Sequence, residues 1–460
     1  MTDRLTAELL ARHDRPGPRY TSYPTALEFD SSYGAAEQRS QLERLSTTPD
    51  PVALYVHLPF CQSRCSFCAC HVVVTSSETL PARYLDAVAT EIATVAEILG
   101  EGRRFVQLHW GGGTPTFHPP DVLAGFHATI LRHFAPDPGA EMAVEVDPRV
   151  TTTEHLAALA TLGFNRLSVG VQDVDGNVQD LIGRNQSIEQ TERLLADARQ
   201  VGFGSINLDL VYGLPGQTVE SFRRTLDVVV GLRPERLAVY SFAYVPWMRP
   251  HQRRIPEEAL PHRDVKFELL SELVATLTAA GYLHIGMDHF ALASDELAQA
   301  ARSRTLGRNF MGYTTIRDTD VVAFGTSAIS EVGGVHAQNH RRLADYLLTA
   351  TNGELPTERG LVPTSDDVIR RHVITELMCN AVVNLTEVSV RFGVDSAEYF
   401  ASELEQLTAP DGLVAEGLAT VSETEVAATD LGRLFVRRLA MAFDRYLARP
   451  SDTPRFSRTI

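Results

Sequence analysis

The sequence predicts an α/β fold: a partial, TIM-barrel-like (β/α)6 barrel with an N-terminal arm before it and a mainly helical domain after it. Short apolar runs alternate with amphipathic stretches from about residue 50 to 330, and helical patterns dominate from about residue 365. The runs end in chemically distinctive residues, which are expected to share one face because parallel strands end together. The runs are 53–60, 105–113, 141–148, 164–173, 205–215, 236–246 and 283–290.

Helices are predicted between these strands. The stretches YLDAVATEIATVAEIL (84–99) and SFRRTLDVVVGL (221–232) repeat apolar residues at helical spacing. Strands that alternate with helices indicate parallel βαβ units. A succession of six or more such units fits a barrel better than a two-halved doubly wound sheet. We therefore assign residues 51–360 to one barrel domain.

The two ends of the chain differ from the barrel in pattern. Residues 1–50 are predicted to be an irregular arm because RPGPRYTSYPT (15–25) is rich in Pro and Gly. Residues 361–460 show helical patterns around one β-like piece, GLATVSETEVAAT (417–429). This combination predicts a small helical domain of winged-helix type.

Charge and hydropathy restrict the partners. The formal net charge of −16 argues against non-specific binding to nucleic acid or anionic membranes, because these attract basic surfaces. No apolar run approaches the ~18 residues of a membrane span, and the N-terminus has no apolar signal stretch. We therefore expect a cytoplasmic protein that does not bind nucleic acid or membranes. A barrel covered by its own flanking domains further suggests a monomer.

Four of the five cysteines lie in CQSRCSFCAC. In a reducing compartment such thiols are more often metal ligands than disulfides. Zinc sites usually pair two knuckles a dozen or more residues apart, whereas iron–sulfur clusters suit shorter spacings. Cys61, Cys65 and Cys68 are therefore predicted to hold a [4Fe-4S] cluster with one iron open, with zinc or structural thiols as alternatives. Cys70 is not expected to be the fourth ligand.

The cysteine loop and GGGTPT (111–116) together resemble the motifs of radical S-adenosylmethionine (SAM) enzymes, in which SAM chelates the open iron. Glycines let a ligand approach the backbone closely. The resemblance extends along nearly the whole chain to the HemN family, the oxygen-independent coproporphyrinogen III dehydrogenases. It is carried by RPGPRYTSYPT, LYVHLPFC, HWGGGTPT, EVDPR, GVQD, NLDLVYGLPGQT, GMDHFA and RFSRTI.

This resemblance implies one [4Fe-4S] cluster and two SAM molecules, and it assigns residues to each. Carboxylates can accept hydrogen bonds from amino or ribose hydroxyl groups, an arginine can bind a carboxylate in bidentate fashion, and a phenyl ring can cover an adenine. The first SAM would contact Tyr55, Gly112 and Glu145. The second would contact Phe67, Gly113, Thr114, Gln172, Arg184, Asp209, Ala243 and Ile329.

The resemblance also implies a reaction. A reductant such as flavodoxin or ferredoxin supplies electrons, SAM is cleaved at the cluster, and a hydrogen is abstracted from a propionate of coproporphyrinogen III. Loss of CO2 leaves a vinyl group, and two such events give protoporphyrinogen IX, in haem biosynthesis. Propionates need cationic partners, so Arg15 and Arg19, with Tyr20 and Tyr23, are hypothesised to fold over the barrel mouth as a lid.

Three departures from the family pattern concern the substrate pocket. Where the family usually has His-Arg-Asn-Phe-Gln, this chain has Gly-Arg-Asn-Phe-Met at 307–311. Where it usually has Tyr-Ala-His, this chain has Phe-Ala-Tyr, which ends in Tyr244. The usual Cys-Gly-Cys-Asn of the cysteine loop is Cys-Ala-Cys-His, which ends in His71. A pocket loses discrimination when a polar partner is removed. The residues expected to line it are Phe310, Met311, Tyr244 and Cys70.

These departures leave a second function open, that of a HemN-like methyltransferase or cyclopropanase that uses the second SAM as carbon donor. The dehydrogenase is favoured because the resemblance reaches both termini. A haem-carrying chaperone related to the family fits less well, because the chain keeps Cys70 and the N-terminal arm. His57 and His109 are expected to pack or hydrogen-bond inside the barrel, and Cys379 to be a small buried residue.

Overall fold

A twelve-stranded sheet forms the centre of the computed structural model, which describes residues 6–447 and 456–458. Its first six strands pair in parallel, each with the next along the chain, as the alternating pattern predicts. These strands are β1 (Val52–Leu58), β2 (Arg103–Gly112), β3 (Phe134–Val146), β4 (Arg166–Gln172), β5 (Ser205–Tyr212) and β6 (Arg236–Ser241).

Helices connect these strands and cover the sheet. On the first of them Leu85, Val88, Ile92 and Val95 recur at helical spacing and are buried in the main core. This apolar stripe explains why the segment is helical and which face it turns to the sheet. The connecting helices are α3 (Leu80–Leu99), α4 (Pro120–His133), α5 (Thr153–Thr161), α6 (Gly176–Ile182), α7 (Ile188–Val201) and α8 (Val219–Leu232).

The seventh apolar run, 283–290, is not a parallel strand. It divides into β7 (Tyr282–Gly286) and β8 (His289–Leu292), an antiparallel hairpin whose second strand pairs antiparallel with β6. The chain reverses at Met287, which adopts a φ of 44°. A reversal inside a continuous apolar run has no periodicity signal, so the prediction of one parallel strand was wrong here. Helix α9 (Arg263–Ala279) precedes the hairpin.

Four further strands extend the sheet on the other side of β1. The first pairs parallel with β1 and the other three are antiparallel. These strands are β11 (Val321–Phe324), β12 (Ile329–Val332), β13 (Val335–Asn339) and β14 (Thr357–Leu361), and the neighbouring elements are α10 (Glu296–Ser303), β9 (Gly307–Asn309), β10 (Gly312–Thr314) and α11 (Leu343–Thr351). The sheet order is β14-β13-β12-β11-β1-β2-β3-β4-β5-β6-β8-β7, so the barrel is open.

The N-terminal arm is more regular than predicted. Helices α1 (Ala7–His13) and α2 (Ala35–Ser46) flank the irregular proline-rich stretch. The expectation of an irregular arm was therefore wrong for these two segments. In α2, Leu42 and Leu45 join the core of the barrel, which explains the helix.

The C-terminal part forms a second hydrophobic core. Leu10, Tyr20 and Tyr23 of the arm belong to this core rather than to that of the barrel. Among the described residues, no helix has the length and apolar character to cross a membrane. The elements are α12 (Ser365–Asn380), β15 (Val382–Asn384), α13 (Leu385–Phe392), α14 (Ser396–Tyr399), α15 (Ala401–Thr408), β16 (Ala419–Val421), β17 (Glu425–Ala428) and α16 (Val436–Met441).

Candidate active site

The cysteine loop leaves the carboxyl end of β1 and closes on itself. The backbone N–H of Cys61 donates to the Val73 carbonyl at 3.1 Å, and that of Val73 donates to the Pro59 carbonyl at 2.8 Å. The Thr114 N–H reaches the Phe60 carbonyl at 2.9 Å. The loop is therefore fixed at its base to the glycine segment that ends β2.

The glycines of that segment allow two strand ends to meet. A Cβ at Gly112, whose φ is 110°, would lie 2.4 Å from the His57 ring, and one at Gly113 would lie 2.5 Å from the Pro59 backbone. No side chain fits at these distances. The sequence suggests that these glycines admit a ligand, and the structure adds that they let β2 approach β1.

One cavity brings the predicted residues together. It holds the cysteine loop and the ends of β2 to β5, and eight of the eleven SAM residues named from the resemblance line it. Its lining includes Cys61, Cys65, Cys68, Cys70, Phe67, Gly112, Gly113, Thr114, Glu145, Gln172, Arg184 and Asp209, together with Arg64, Asp147, Arg149, Ser168 and Gly170.

Two of the thiols differ sharply in environment. Cys61 Sγ lies 3.4 Å from Thr114 Oγ1, and burial raises the pKa of the Cys61 thiol to about 11. A hydrogen bond from Cys70 lowers the pKa of the Cys68 thiol, and the same bond raises the pKa of Cys70. Cys70 therefore stabilises the thiolate form of Cys68.

Cys65 is in contact with two arginines. Arg149 Nη2 and Arg184 Nη1 each lie 3.7 Å from Cys65 Sγ. Both also bind Asp147, at 2.6 and 3.0 Å. Although burial opposes it, the hydrogen bond from Arg149 and the charge of Arg184 hold the pKa of Asp147 below its usual value. Asp147 and Arg149 were not named from the sequence, although they belong to EVDPR.

Two carboxylates line the opposite wall. Glu145 accepts from the Gly112 N–H at 3.0 Å and from His109 Nε2 at 3.2 Å. Burial acts to raise the pKa of Glu145, but the His109 hydrogen bond and charge bring it below its usual value. Burial and the neighbouring charge of Glu145 raise the pKa of Asp209 to about 7. One acid is thus ionised and the other is close to half-protonated at neutral pH.

His57 links β1 to the cysteine loop. Its Nε2 lies 2.9 Å from the His71 carbonyl, and its Nδ1 lies 3.1 Å from Tyr55 Oη. Burial lowers the pKa of His57 to about 4, so the ring is neutral. A carbonyl can only accept, so Nε2 donates to His71 and Nδ1 accepts from Tyr55. Tyr55 in turn packs against Phe310, with ring centroids 5.2 Å apart.

The remaining predicted residues lie outside the lining of this cavity. Met311 is in the turn between β9 and β10, where its N–H binds Asn309 Oδ1 at 2.9 Å. Tyr244 donates to Glu257 at 3.2 Å, and Ile329 begins β12. The Ala243 carbonyl accepts from Gln252 at 3.1 Å.

The two arginines proposed for the lid are separated. Arg19 pairs with Asp288 and lies 5.1 Å above the Tyr240 ring, on the barrel side of the arm. Arg15 lines another cavity, between α1 and the C-terminal helices. Gly307 lines a third cavity with Tyr20 and Tyr23 of the arm. The structure thus does not bring Arg15 and Arg19 to one place.

Two residues without any sequence signal hold the cysteine loop from outside. His251 Nε2 donates to the Cys68 carbonyl at 2.7 Å, and Gln252 Nε2 donates to the Phe67 carbonyl at 3.1 Å. Both belong to a short 3-10 helix (Pro250–Arg254) in the otherwise irregular segment after β6, which no motif marks.

Comparisons with known proteins agree with this geometry. The Radical SAM superfamily domain matches residues 55–229, which include the cysteine loop, and the HemN C-terminal domain matches residues 364–435. The chain is a radical SAM protein. An oxygen-independent coproporphyrinogen III oxidase of Pseudomonas aeruginosa is 42% identical over 100% of this chain and 99% of the relative. This chain belongs to that family, the HemN family of oxygen-independent coproporphyrinogen III oxidases.

Further members agree over nearly the full length. The oxidase of Escherichia coli strain K12 is 43% identical over 98% of each chain. The solved structure of coproporphyrinogen III oxidase (HemN) from Escherichia coli, described as a radical SAM enzyme, superimposes with a TM-score of 0.89 at 43% identity. It covers 93% of this chain and 97% of its own.

Membership of the superfamily implies a [4Fe-4S] cluster and SAM, and the residues present fit both. The thiols of Cys61, Cys65 and Cys68 share a cavity but have different partners. Three thiols that line one cavity suit the iron corners of a cluster. Arg184 and Glu145 offer opposite charges to the carboxylate and amino groups of SAM.

Proposed function

We propose that this protein converts two propionate side chains of coproporphyrinogen III to vinyl groups without oxygen, giving protoporphyrinogen IX. The observation that carries the proposal is the cavity that joins the cysteine loop to Glu145, Arg184 and Asp209, in a chain related over its full length to oxidases of that name. The methyltransferase and cyclopropanase alternatives have no comparable support.

The roles of the residues follow from their environments. When bound, the cluster and SAM supply the one-electron chemistry that removes a hydrogen from a propionate before CO2 is lost. Cys61, Cys65 and Cys68 hold the cluster, while neutral His57 fixes the loop that carries them. Ionised Glu145 accepts from an amino group, in the way it already accepts from a backbone N–H.

We further propose that two SAM molecules bind. The first contacts Tyr55, Gly112 and Glu145, and the second lies toward Asp209. Support comes from the lining of the cavity, which reaches from the cysteine loop after β1 to β5 and contains acids with different proton affinity, although Tyr55, Ala243 and Ile329 are not part of that lining. The second set is Phe67, Gly113, Thr114, Gln172, Arg184, Asp209, Ala243 and Ile329.

The substrate is proposed to enter beside Tyr55 and Phe310, whose rings are in contact. Met311 follows Phe310 in the turn between β9 and β10, Tyr244 lies in the loop after β6, and Arg19 supplies a cation on the barrel side. Arg15 is left out, because it lines a separate cavity. We assign residues 51–360 to the cofactor-binding barrel, 1–50 to the covering arm and 361–460 to the helical domain. The protein is proposed to act as a cytoplasmic monomer reduced by a flavodoxin or ferredoxin.

The test is anaerobic turnover of the reconstituted protein with SAM, dithionite and coproporphyrinogen III, with products identified by mass spectrometry. Loss of CO2 and two hydrogens from each of two propionates is the expected result. If SAM is cleaved while the porphyrinogen remains unchanged, the proposed substrate is wrong. Transfer of a carbon from SAM to an acceptor would then support the methylating alternative.

A further inference from the structure

The irregular segment after β6 connects the protein surface to a cluster ligand. His251 donates to the Cys68 carbonyl at 2.7 Å, and Gln252 donates to the Phe67 carbonyl at 3.1 Å. Gln252 is fully buried, and its Oε1 accepts from the Val245 N–H at 2.6 Å. These bonds hold the segment firmly against the back of the cysteine loop.

The outer side of this segment exposes large apolar side chains. Trp247 is 50% exposed and Met248 is 48% exposed. Neither lines the cavity described above. Tryptophan, methionine and arginine are enriched at protein–protein interfaces, where exposed aromatic residues often provide most of the binding energy. The pair therefore indicates a surface for another macromolecule rather than for a cofactor in the cavity.

Arginines occur both in this segment and in the cysteine loop that it contacts. Arg249, Arg253 and Arg254 lie in the same segment, and Arg64 lies in the cysteine loop, where it also lines the cavity described above. Among the described residues, none of these four has a carboxylate within 4.0 Å, a contact that the part-buried Arg149, Arg236 and Arg370 make.

The cysteine loop and the segment contribute to one cationic area. Burial lowers the pKa of His71 most, and the charges of Arg249 and Arg64 lower it further. An arginine of the segment after β6 and an arginine of the cysteine loop therefore both lie near His71. The acids that follow in sequence are Glu257, which binds Tyr244, and Glu258. Four arginines thus outnumber two acids on a chain whose net charge is −16.

We propose that Trp247, Met248 and these four arginines, here called the arginine surface, dock a small acidic electron-transfer protein that reduces the cluster. The inference rests on the proposed function, because only a cluster that is reduced in turnover needs a donor. One electron passes, so the donor is oxidised by one electron and the cluster is reduced by one, with no bond formed or broken. Charge complementarity favours an acidic partner and accelerates its association.

The experiment compares two reductants on the same reconstituted holoenzyme. The Arg253→Glu/Arg254→Glu variant is assayed for SAM cleavage and porphyrinogen conversion with a reduced acidic flavodoxin and, separately, with dithionite. We expect kcat/KM for flavodoxin to fall at least about tenfold and its dependence on salt to weaken. Activity with dithionite should stay unchanged, since a small reductant needs no docking surface.

Controls separate this proposal from the proposed function. The variant Arg132→Glu/Arg193→Glu places the same charge change on helices α4 and α7 and should behave as wild type with both reductants. Trp247→Ala changes no charge, and it should reduce the rate with flavodoxin but not the rate with dithionite. If the wild type with dithionite fails to convert the porphyrinogen, the proposed function is wrong. The rate of SAM cleavage with flavodoxin then still measures whether the donor docks on the arginine surface.

Two results would overturn the inference. Wild-type kinetics of the Arg253→Glu/Arg254→Glu variant with flavodoxin would show that the arginine surface does not dock the donor. An increase in KM for the porphyrinogen with dithionite would assign the surface to the anionic substrate instead.

Discussion

At the scale of single residues, Cys65 differs most from its neighbours. Two guanidinium groups lie 3.7 Å from its sulfur, while Cys61 contacts a hydroxyl and Cys68 another thiol. Hydrogen bonds and positive charge near a ligand sulfur stabilise the reduced, more negative cluster. Arg184 is also expected to bind SAM, so Arg149 is the arginine whose effect on the cluster can be isolated.

Arg149→Met is expected to lower the reduction potential of the cluster. If the lost charge-assisted hydrogen bond stabilises the reduced state by about 1.4 kcal/mol, the potential falls by about 60 mV. A spectroscopic redox titration of the holoprotein measures this directly. Iron content should be unchanged, and Arg104→Met, which removes an exposed arginine, should leave the potential unaffected. An unaltered potential in Arg149→Met would mean that the contact has no electronic effect.

Glu91 is the second residue with an unusual environment. It is buried, and it accepts from Tyr346 Oη at 2.6 Å, from Asn339 Nδ2 at 2.6 Å and from the Gly325 N–H at 2.9 Å. Burial outweighs these bonds and raises the pKa of Glu91 to about 7 from the ordinary 4.5. It fastens α3 to the turn that follows β11.

Stability should therefore depend on the ionisation of Glu91. Because the pKa of Glu91 is higher in the folded state, the folded state binds the proton more tightly than the unfolded state does. The stabilisation from protonated Glu91 is therefore complete below about pH 4.5 and is lost as the pH rises through 7. The loss amounts to about 3 kcal/mol. Melting temperatures of wild type and Glu91→Gln from pH 5 to 8 should diverge, with the wild type weakening toward high pH. Parallel curves would contradict this prediction.

At the scale of elements, the cysteine loop depends on the segment after β6. Gln252 binds three backbone groups, those of Phe67, Ala243 and Val245. Strand ends of a parallel sheet lie side by side, so a loop on β1 can be supported by the segment that follows β6. The support is a property of the fold and is independent of the cysteine motif.

Gln252→Ala should loosen the cysteine loop. Three buried polar groups lose their partner, which costs about 3 kcal/mol in total. We expect less iron retained after gel filtration and faster loss of the cluster band in air. Gln41→Ala is the matched control: Gln41 is also buried and binds the Val332 carbonyl at 2.8 Å, away from the loop. It should lower the melting temperature slightly and leave iron content unchanged; equal iron loss in both would refute the specific role of Gln252.

At the scale of the whole molecule, the arm joins the two cores. Tyr20 Oη donates to Asp444 at 2.9 Å, and Arg437 donates to the Gly17 carbonyl at 2.6 Å. Near the C-terminus, Arg458 binds Asp14 at 2.6 Å. On its other side, Arg19 pairs with Asp288 of the β7–β8 turn. The arm therefore lies between the C-terminal domain and the barrel.

Deletion of residues 1–23 should free the C-terminal domain. We expect faster proteolysis after residue 361 and a lower melting temperature, while iron content persists because the cysteine loop is anchored to β2 and the segment after β6. Limited trypsin digestion with mass spectrometry measures the first effect. Tyr20→Phe, which removes only the bond to Asp444, should have a much smaller effect. Loss of the cluster with an intact C-terminal domain would contradict this account.

The sequence by itself determined the β/α alternation, the cluster motif and most of the cofactor cavity. Strand and helix periodicities are local features of the sequence. The ligand spacing of CQSRCSFCAC and the glycines of GGGTPT are also contained in short stretches of sequence, so both motifs can be identified without the fold. The fold brought eight of the eleven SAM residues to one cavity because six of them lie on or directly after consecutive parallel strands, while Phe67 and Arg184 reach it from the cysteine loop and from the turn after α6.

Only the tertiary structure decided how distant segments pair. It placed β11 beside β1, turned the seventh run into a hairpin, and brought Arg149 to Cys65 and His251 to Cys68. The added strands have four or five residues, too few for a periodic signal. Contacts between residues more than eighty positions apart leave no local pattern, because their stability comes from packing of the complete fold.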